Sequence, residues 1–577
     1  MRFPNLKPKQ PDSAEVPASQ PSHHDLELKR LCKDRDTRWY AGHLLKLNLV
    51  LFFLLITSAS NGYDGSMMNS LQTLSYWQDY FGNPSGGLLG LLNAIQNLGN
   101  LAGLPFAPFL NDRYGRRWTL FLGCIVMILA TIIQSASQNL GMFLVGRFLI
   151  GFGNSWASIA GPILLTELAF PTHRAPITSL YNSMWYLGSI IAAWTTFGTL
   201  NIQSTWSWRI PSIVQGVPPL VQAVVVWFIP ESPRWLLDHD QAVKARRVIS
   251  KWHCEGVDTD PLVDFEFTEI QTALALEKEA ARTTTYMDLF KNKGNIRRFR
   301  VIIALAFFSQ WSGNGIVSYY LTIVLNGIGI TETFEQNLLN GCLQIYNLIT
   351  AVIGALTVEK AGRRVLFLTS TGGMCLSYMV WTILSATYNA QATEFDASGN
   401  PLNGPQSIGN GVIAVIFIYY GFYNIAMSPL IVSYTVEILP FRIRSKGLMV
   451  FQICVSFSLV FNQFVNPVAL QAIQWRYYIV YTIWLAFEFI YLFFTVVETK
   501  GKHGMALPLE EISRLFDGDD AEVDLLDQGV VPGAAGDRRA SDGTLLDGGV
   551  GLEKKGSQER GEIEQVEAVP AQGEKRF

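Results

Sequence analysis

Asp112-Arg113-Tyr114-Gly115-Arg116-Arg117 is answered about 250 residues later by Glu359-Lys360-Ala361-Gly362-Arg363-Arg364. In both places an acid, a glycine and two arginines at the same spacing follow a long apolar run. Two further pairs keep the same order. Glu167-Leu168-Ala169-Phe170-Pro171 with Arg174 matches Glu437-Ile438-Leu439-Pro440 with Arg442 and Arg444, and Pro230-Glu231-Ser232 matches Val497-Glu498-Thr499. One such coincidence carries little weight; three in order describe an internal repeat. The offset grows from about 250 to about 270 residues, and the long link from Thr387 to Asn410 accounts for the difference.

The repeated signatures punctuate a membrane protein. Of 577 residues, 49% are hydrophobic and only 16% charged, which no set of soluble domains of this length would show. Apolar runs long enough to span fall at 44–71, 87–110, 118–136, 141–166, 176–200 and 211–229, and again at 300–325, 338–358, 365–387, 409–435, 447–469 and 475–497. The sequence thus predicts an all-α integral membrane protein with twelve transmembrane helices in two six-helix bundles, 44–229 and 300–497, related as parallel repeats. Residues 230–299, polar and charged with helix-like stretches at Gln241–Trp252 and Asp264–Arg282, form a cytoplasmic helical linker. Residues 1–43 and 498–577 are tails, the latter opening on an amphipathic stretch at Leu507–Ile512 and turning Gly- and acid-rich, hence disordered, after about 517.

Links after even-numbered spans carry the basic residues, among them Arg113, Arg116, Arg117, Arg174, Arg363, Arg364, Arg442 and Arg444, so both termini are expected in the cytoplasm. The N-terminus lacks the short apolar core of a cleavable signal, so span 1 is retained and the plasma membrane is the default location. The balance of 44 basic and 47 acidic residues gives no reason to expect nucleic acid as a partner, and the six scattered cysteines show no disulfide or metal spacing. No nucleophile–base pair stands in the links, so neither an enzyme nor a cofactor is expected.

Within the first run lies Asn61-Gly62-Tyr63-Asp64-Gly65. Asn-Gly and Asp-Gly are turn dipeptides, but Leu44 to Ser58 is too short to cross ~30 Å of hydrocarbon, so the helix must continue through Asp64. An acid placed there costs at least ~2.5 kcal/mol by insertion scales and needs a cavity, a partner or a pathway. Arg147, about 9 Å inside span 4 at ~1.5 Å per residue, lies at matching depth. A carboxyl beside a guanidinium stays ionised and one left alone does not, so movement of Arg147 can switch proton affinity.

The ordered set Gly62-Tyr63-Asp64, Asp112–Arg117, Gly146-Arg147 with Glu167, Pro230-Glu231-Ser232-Pro233-Arg234-Trp235-Leu236, Glu359–Arg364 and Glu498-Thr499-Lys500-Gly501 resembles the sugar-porter family of the major facilitator superfamily. Asn61–Met68 and Ser309–Gly315 with Tyr319-Tyr320 resemble its fungal branch of lactose-permease-like and hexose transporters. The resemblance covers about Trp39 to Phe516 and implies a sugar site between the halves near the midplane. It nominates Asn182, Gln310, Asn314 and Asn347 as amide donors to sugar hydroxyls, Tyr319 and Tyr320 as outer-gate aromatics, and Asp64 with Arg147 for proton coupling. Independently of the name, Asp112, Glu167, Glu231, Glu359, Glu437 and Glu498 face Arg116, Arg174, Arg234, Arg363 and Arg444, a charge latch expected to hold the halves in one state and part in the other. The bland alternatives are basics that only fix topology and amides that only bond helix to helix.

The departures point to a roomier pocket. Asn182 replaces the family's longer Gln, Ser309 precedes Gln310 where the family has a Gln pair, Gly315 replaces an Asn, and Val432 a Trp. A disaccharide such as lactose then fits as well as a hexose, with Trp185, Trp311 and Tyr434 able to restore aromatic surface. The expected function is sugar transport by alternating access, by a monomer in the lipid bilayer, with protons as co-substrate. An uncoupled facilitator and a non-transporting sugar sensor are the alternatives.

Overall fold

A computed structural model describes residues 23–33, 35–395, 401, 403–499, 512 and 515–517. Within them the two glycine–arginine loops close in the same way. Gly115 (φ 95°) and Gly362 (φ 86°) adopt a backbone conformation closed to other residues, and a Cβ on either would run into the carboxylate of Glu231 or Glu498. Each glutamate caps the helix that starts there. Glu231 accepts the backbone N–H of Arg116 (3.1 Å) and Arg117 (3.2 Å), and Glu498 those of Arg363 (2.9 Å) and Arg364 (3.1 Å). These are the free donors and the positive dipole end of spans 3 and 9, where an acid belongs.

The side chains repeat the pattern. Arg116 pairs with Glu167 at 3.2 Å and Arg363 with Glu437 at 3.1 Å. Arg117 and Arg364 each donate to a carbonyl at the end of span 6 or 12, Trp227 and Phe493, and lie over those rings. The predicted latch is therefore corrected in its connections: these pairs tie spans within one half, not one half to the other. Arg234 pairs with Glu277 of the linker, Asp112 stands 3.9 Å from Arg116, Arg444 donates to the Leu439 carbonyl, and Arg174 is exposed. The side chain of Glu359 lies outside the described residues.

Twelve spans cross between these ends. Spans 1, 3, 4 and 5 are Gly42–Leu71, Arg116–Ser135, Leu140–Leu168 and Arg174–Thr199; spans 8, 9, 11 and 12 are Thr333–Ala361, Arg363–Gln391, Phe441–Ile473 and Tyr477–Thr495. The other four are broken: span 2 at 104–105, span 6 at 215–216, span 7 at 312–313 and span 10 at 427–429. By length and composition nine stretches of the described residues are apolar enough to cross a membrane, one of which covers both spans 11 and 12. Spans 2 and 5 fall outside that set because Asn93, Gln96, Asn97 and Asn100, or Asn182, Ser183, Ser189 and Thr196, dilute them. The sequence missed the four breaks and otherwise placed the span ends within about seven residues, the largest difference being the start of span 7 at Lys293 against 300. The turn alternative at Asn61–Gly65 is excluded, since helix runs to Leu71.

Helices Ala242–His253 and Pro261–Thr283 occupy the linker. His253 is buried and engages acceptors with both ring nitrogens, Nδ1 to Glu266 (2.8 Å) and Nε2 to the Leu168 carbonyl (3.1 Å), fastening the linker to the last turn of span 4. Two acceptors require two N–H groups, hence an imidazolium. Of the disordered-tail expectation only the edge is visible: Asp517 makes a bidentate pair with buried Arg298 (2.9 and 2.6 Å), and Phe516 packs there. Most of Leu507–Ile512, and everything after 517, lies outside the described residues.

Two measurements test these ties. Gly115→Ala and Gly362→Ala are each expected to destabilise detergent-purified protein by about 1–3 kcal/mol in unfolding assays, whereas Gly198→Ala, a helical position with open space, gains a few tenths to about 1 kcal/mol. For His253, burial pushes the imidazole down but the Glu266 charge and the bonds to Glu266 and Leu168 outweigh it, raising it above its ordinary value. Its contribution is thus full below about pH 6.5 and lost as pH rises through the raised folded value. Hydrogen exchange of Ala242–His253 is expected to accelerate over that window, and His253→Gln to flatten the pH dependence.

Candidate functional site

Asp64 is 1% exposed, in the interior of the first half. Its Oδ1 accepts from Gln215 Nε2 at 2.6 Å, and Gln215 in turn accepts from Gln134 at 3.1 Å. Its Oδ2 is buried without a hydrogen-bond partner among the described residues. Gln215 stands at the break in span 6 between Val214 and Val217. Arg147 is equally buried, but its Nε donates to the Leu92 carbonyl (3.0 Å) and Nη2 to Gln96 (2.8 Å), leaving Nη1 unbonded. No Asp64–Arg147 ion pair within 4.0 Å is present; each side chain is held here by an amide, and the two interact only through space. Gly62 lets the backbone of span 5 at Trp185 approach span 1, and Gly188 does the same against Ala59.

The second half is organised by the break in span 7, whose segments are Lys293–Trp311 and Asn314–Asn326. A helix that breaks inside a membrane must have its freed carbonyls satisfied by other helices. Here tyrosines do so. Tyr423 donates to Ser309 O (3.1 Å), Tyr419 to Ser312 O (3.0 Å), Tyr378 to Gly313 O (2.8 Å) and Tyr420 to Asn314 O (3.0 Å), while Asn462 donates to Gln310 O (2.7 Å). Gly313 has φ 97° and lies against the Tyr378 ring, so only glycine fits.

The nominated sugar residues distribute unevenly. Gln310 is partly exposed, its side chain donating only to Ser309 (3.2 Å); Asn314 donates to Tyr423 (3.0 Å) and keeps its Oδ1 free; Asn182 is exposed. Asn347 is buried and accepts from Asn424 (3.1 Å), which accepts from Tyr186 of the other half (2.6 Å). Tyr186 and Asn424 were not singled out in the sequence, although a lone amide in the apolar run of span 10 was a signal. Tyr434 is corrected: it sits at the basic end, one turn from Glu437, with its hydroxyl committed to the Val497 carbonyl and N–H (both 3.0 Å), so it braces span 12 and offers nothing to a midplane sugar. Trp311 is likewise a packing residue, its Nε1 bound to Ser458 O and its ring among Phe307, Phe461 and Trp484. Gly315 adds no room, since the amides of Asn462 and Asn466 fill the space.

The halves meet through amides and hydroxyls at the end opposite the basic links. Span 7 leaves helical geometry again at Tyr320 (φ −139°, ψ 30°), and span 1 takes up what this frees. Asn69 accepts the Leu321 N–H (3.1 Å) and Gln72 donates to Tyr319 O (3.0 Å). Asn340 donates to Ser70 (3.0 Å) and Asn337 to Thr73 (2.7 Å). Tyr320 is wholly buried with its hydroxyl on the Gln463 carbonyl, while Tyr319 is half-buried.

Comparisons with known proteins agree with this architecture. The sequence model of the family described as "Sugar (and other) transporter" matches residues 50–516. The high-affinity glucose transporter of Kluyveromyces lactis is 27% identical over 489 residues, 82% of this chain and 86% of that one. The MFS-type transporter criB of Aspergillus cristatus is 27% identical over 474 residues, 82% and 94% of the two chains. The inward open structure of the xylose transporter XylE from E. coli matches with a TM-score of 0.65 at 20% identity, covering 82% of this chain and all of that one, a likeness of fold. Duplicated caps, broken spans and a family match across both halves have one reading: the chain belongs to the sugar transporter family, with the major facilitator fold.

Proposed function

We propose that the chain is a sugar:proton symporter working by alternating access, with both termini in the cytoplasm, as a monomer in the plasma membrane. The observation that carries the coupling is Asp64: wholly buried, held through one oxygen by an uncharged amide, its other oxygen free. Such a carboxyl can take and give a proton without dismantling an ion pair. Gln310, Asn314 and Asn182, with unsatisfied or exposed amide groups, are the proposed contacts to sugar hydroxyls, and Asn347 acts through Asn424 and Tyr186. The relatives named for glucose and xylose support a neutral sugar as substrate. The end opposite the basic links is closed by the Asn69 and Gln72 contacts, which corresponds to an inward-facing state if those links face the cytoplasm.

In proteoliposomes with a membrane potential of 100 mV, the symporter is expected to accumulate sugar up to ~50-fold and to alkalinise the side from which sugar is taken. Asp64→Asn is expected to bring accumulation to unity while leaving sugar counterflow. A proton signal that survives in this variant ends the role given to Asp64, and counterflow without accumulation in the unaltered protein makes it a facilitator. For the gate, spin labels at Ser75 and Glu332, exposed on the two halves at the closed end, report its width. Asn69→Leu with Gln72→Leu leaves the Leu321 N–H and Tyr319 carbonyl unbonded and is expected to shift the distance distribution outward.

A further inference from the structure

We propose that Glu488 is a second intramembrane proton-binding site, one that belongs to the second half and is linked to the break in span 7. The residue lies in Tyr477–Thr495, seven residues from the basic end of span 12 and so roughly 10 Å deep at ~1.5 Å per residue. It is 0% exposed, and neither carboxyl oxygen has a hydrogen-bond partner among the described residues. A carboxylate so placed has no water and, among the described residues, one uncommitted donor, the Trp484 indole N–H, whereas the neutral acid carries no net charge to solvate.

Around Glu488, span 9 contributes Cys375, span 10 Tyr419, and span 12 itself Tyr481 and Trp484. Span 7 contributes Phe308, which covers Trp484, and Arg300, whose field falls on Tyr491. No cation acts on Glu488 among the described residues. The groups able to serve a carboxylate there are the Trp484 indole N–H, which is uncommitted, and the hydroxyls of Tyr419 and Tyr481, which are both committed. Tyr419 donates to the Ser312 carbonyl at the break of span 7. Tyr481 donates to Asn466 (2.8 Å) and Asn462 (3.1 Å), and Asn462 holds the Gln310 carbonyl.

Loss of the proton from Glu488 to water therefore leaves one oxygen to the Trp484 indole and the other competing for a donor that fixes the break. With the proton bound, span 7 keeps its observed bend; with it released, Tyr419 turns toward the carboxylate and the Ser312 carbonyl of span 7 is freed. The site gives the second half a proton-sensitive element of its own, and it rests on the transport reading only for its effect on turnover.

Infrared spectroscopy of the full chain in lipid tests occupancy without reference to transport. The unaltered protein is expected to show a carboxylic-acid C=O band at neutral pH that Glu488→Gln lacks, falling with a tenfold change in the acid-to-carboxylate ratio per pH unit. Glucose counterflow in proteoliposomes then tests the link. Glu488→Gln, the isostere of the neutral acid, is expected to match the unaltered rate at the acidic end and to hold it at the alkaline end where the unaltered protein slows; Glu488→Asp keeps the slowing. A spectrum unchanged by Glu488→Gln overturns the site. A missing band with the same pH profile of counterflow overturns the link to span 7. The band present with no counterflow in the unaltered protein upholds the site and counts against sugar transport.

Discussion

Backbone groups in hydrocarbon must be satisfied by protein, and this chain breaks four of its twelve spans. Span 7 meets the cost with side chains from three other helices: Tyr378 from span 9, Tyr419, Tyr420 and Tyr423 from span 10, and Asn462 from span 11 each hold one carbonyl between Ser309 and Asn314. Several groups near this break keep unused capacity, notably Asn314 Oδ1 and the side chain of Gln310. The irregular backbone thus creates a polar region in the bundle, and the tyrosines that pay for it define where that region ends.

The caps at the basic end work on the opposite principle. Glu231 and Glu498 each bond two helix N–H groups, and Arg116 and Arg363 are charge-assisted within the same half. Such bonds are roughly twice as strong as neutral ones. They join spans 2 to 4 and 6, or 8 to 10 and 12, at that end. The duplicated motif is therefore best understood as a fastening within each half.

Much of this was legible. The repeat, the span positions and the glycine–arginine loops follow from hydrophobicity and fixed spacing, which act locally along the chain. The connections of the charges were not, because spacing says that Glu231 and Arg234 are near neighbours but not that the carboxylate turns to the start of span 3. The role of Tyr434 failed for the same reason: an aromatic in a span has no assigned depth until its hydroxyl finds a partner, here the backbone of Val497. The tyrosine–carbonyl pairs join residues about 65 to 115 apart in sequence, out of reach of any periodicity. Glu488 differs in kind, since the rule that singled out Asp64, a lone acid in an apolar run, applies to it equally.

The contrast between strong bonds within the halves and weak bonds between them bears on how the molecule moves. The described contacts across the interface are neutral: Asn69 with span 7, Gln72 with Tyr319, Ser70 and Thr73 with span 8, Asn97 with Gln463, and Tyr186 with Asn424. At ~0.6 kcal/mol each on average, such bonds together amount to a few kcal/mol. One proton moving through 100 mV supplies ~2.3 kcal/mol, and a sugar offering several hydroxyls supplies a comparable amount. Neither would open an interface closed by buried ion pairs, whose removal costs ~3–5 kcal/mol apiece. Keeping the charged pairs inside each half, and leaving amides and hydroxyls to join them, sets the energy of rearrangement at the scale that the ligands can deliver.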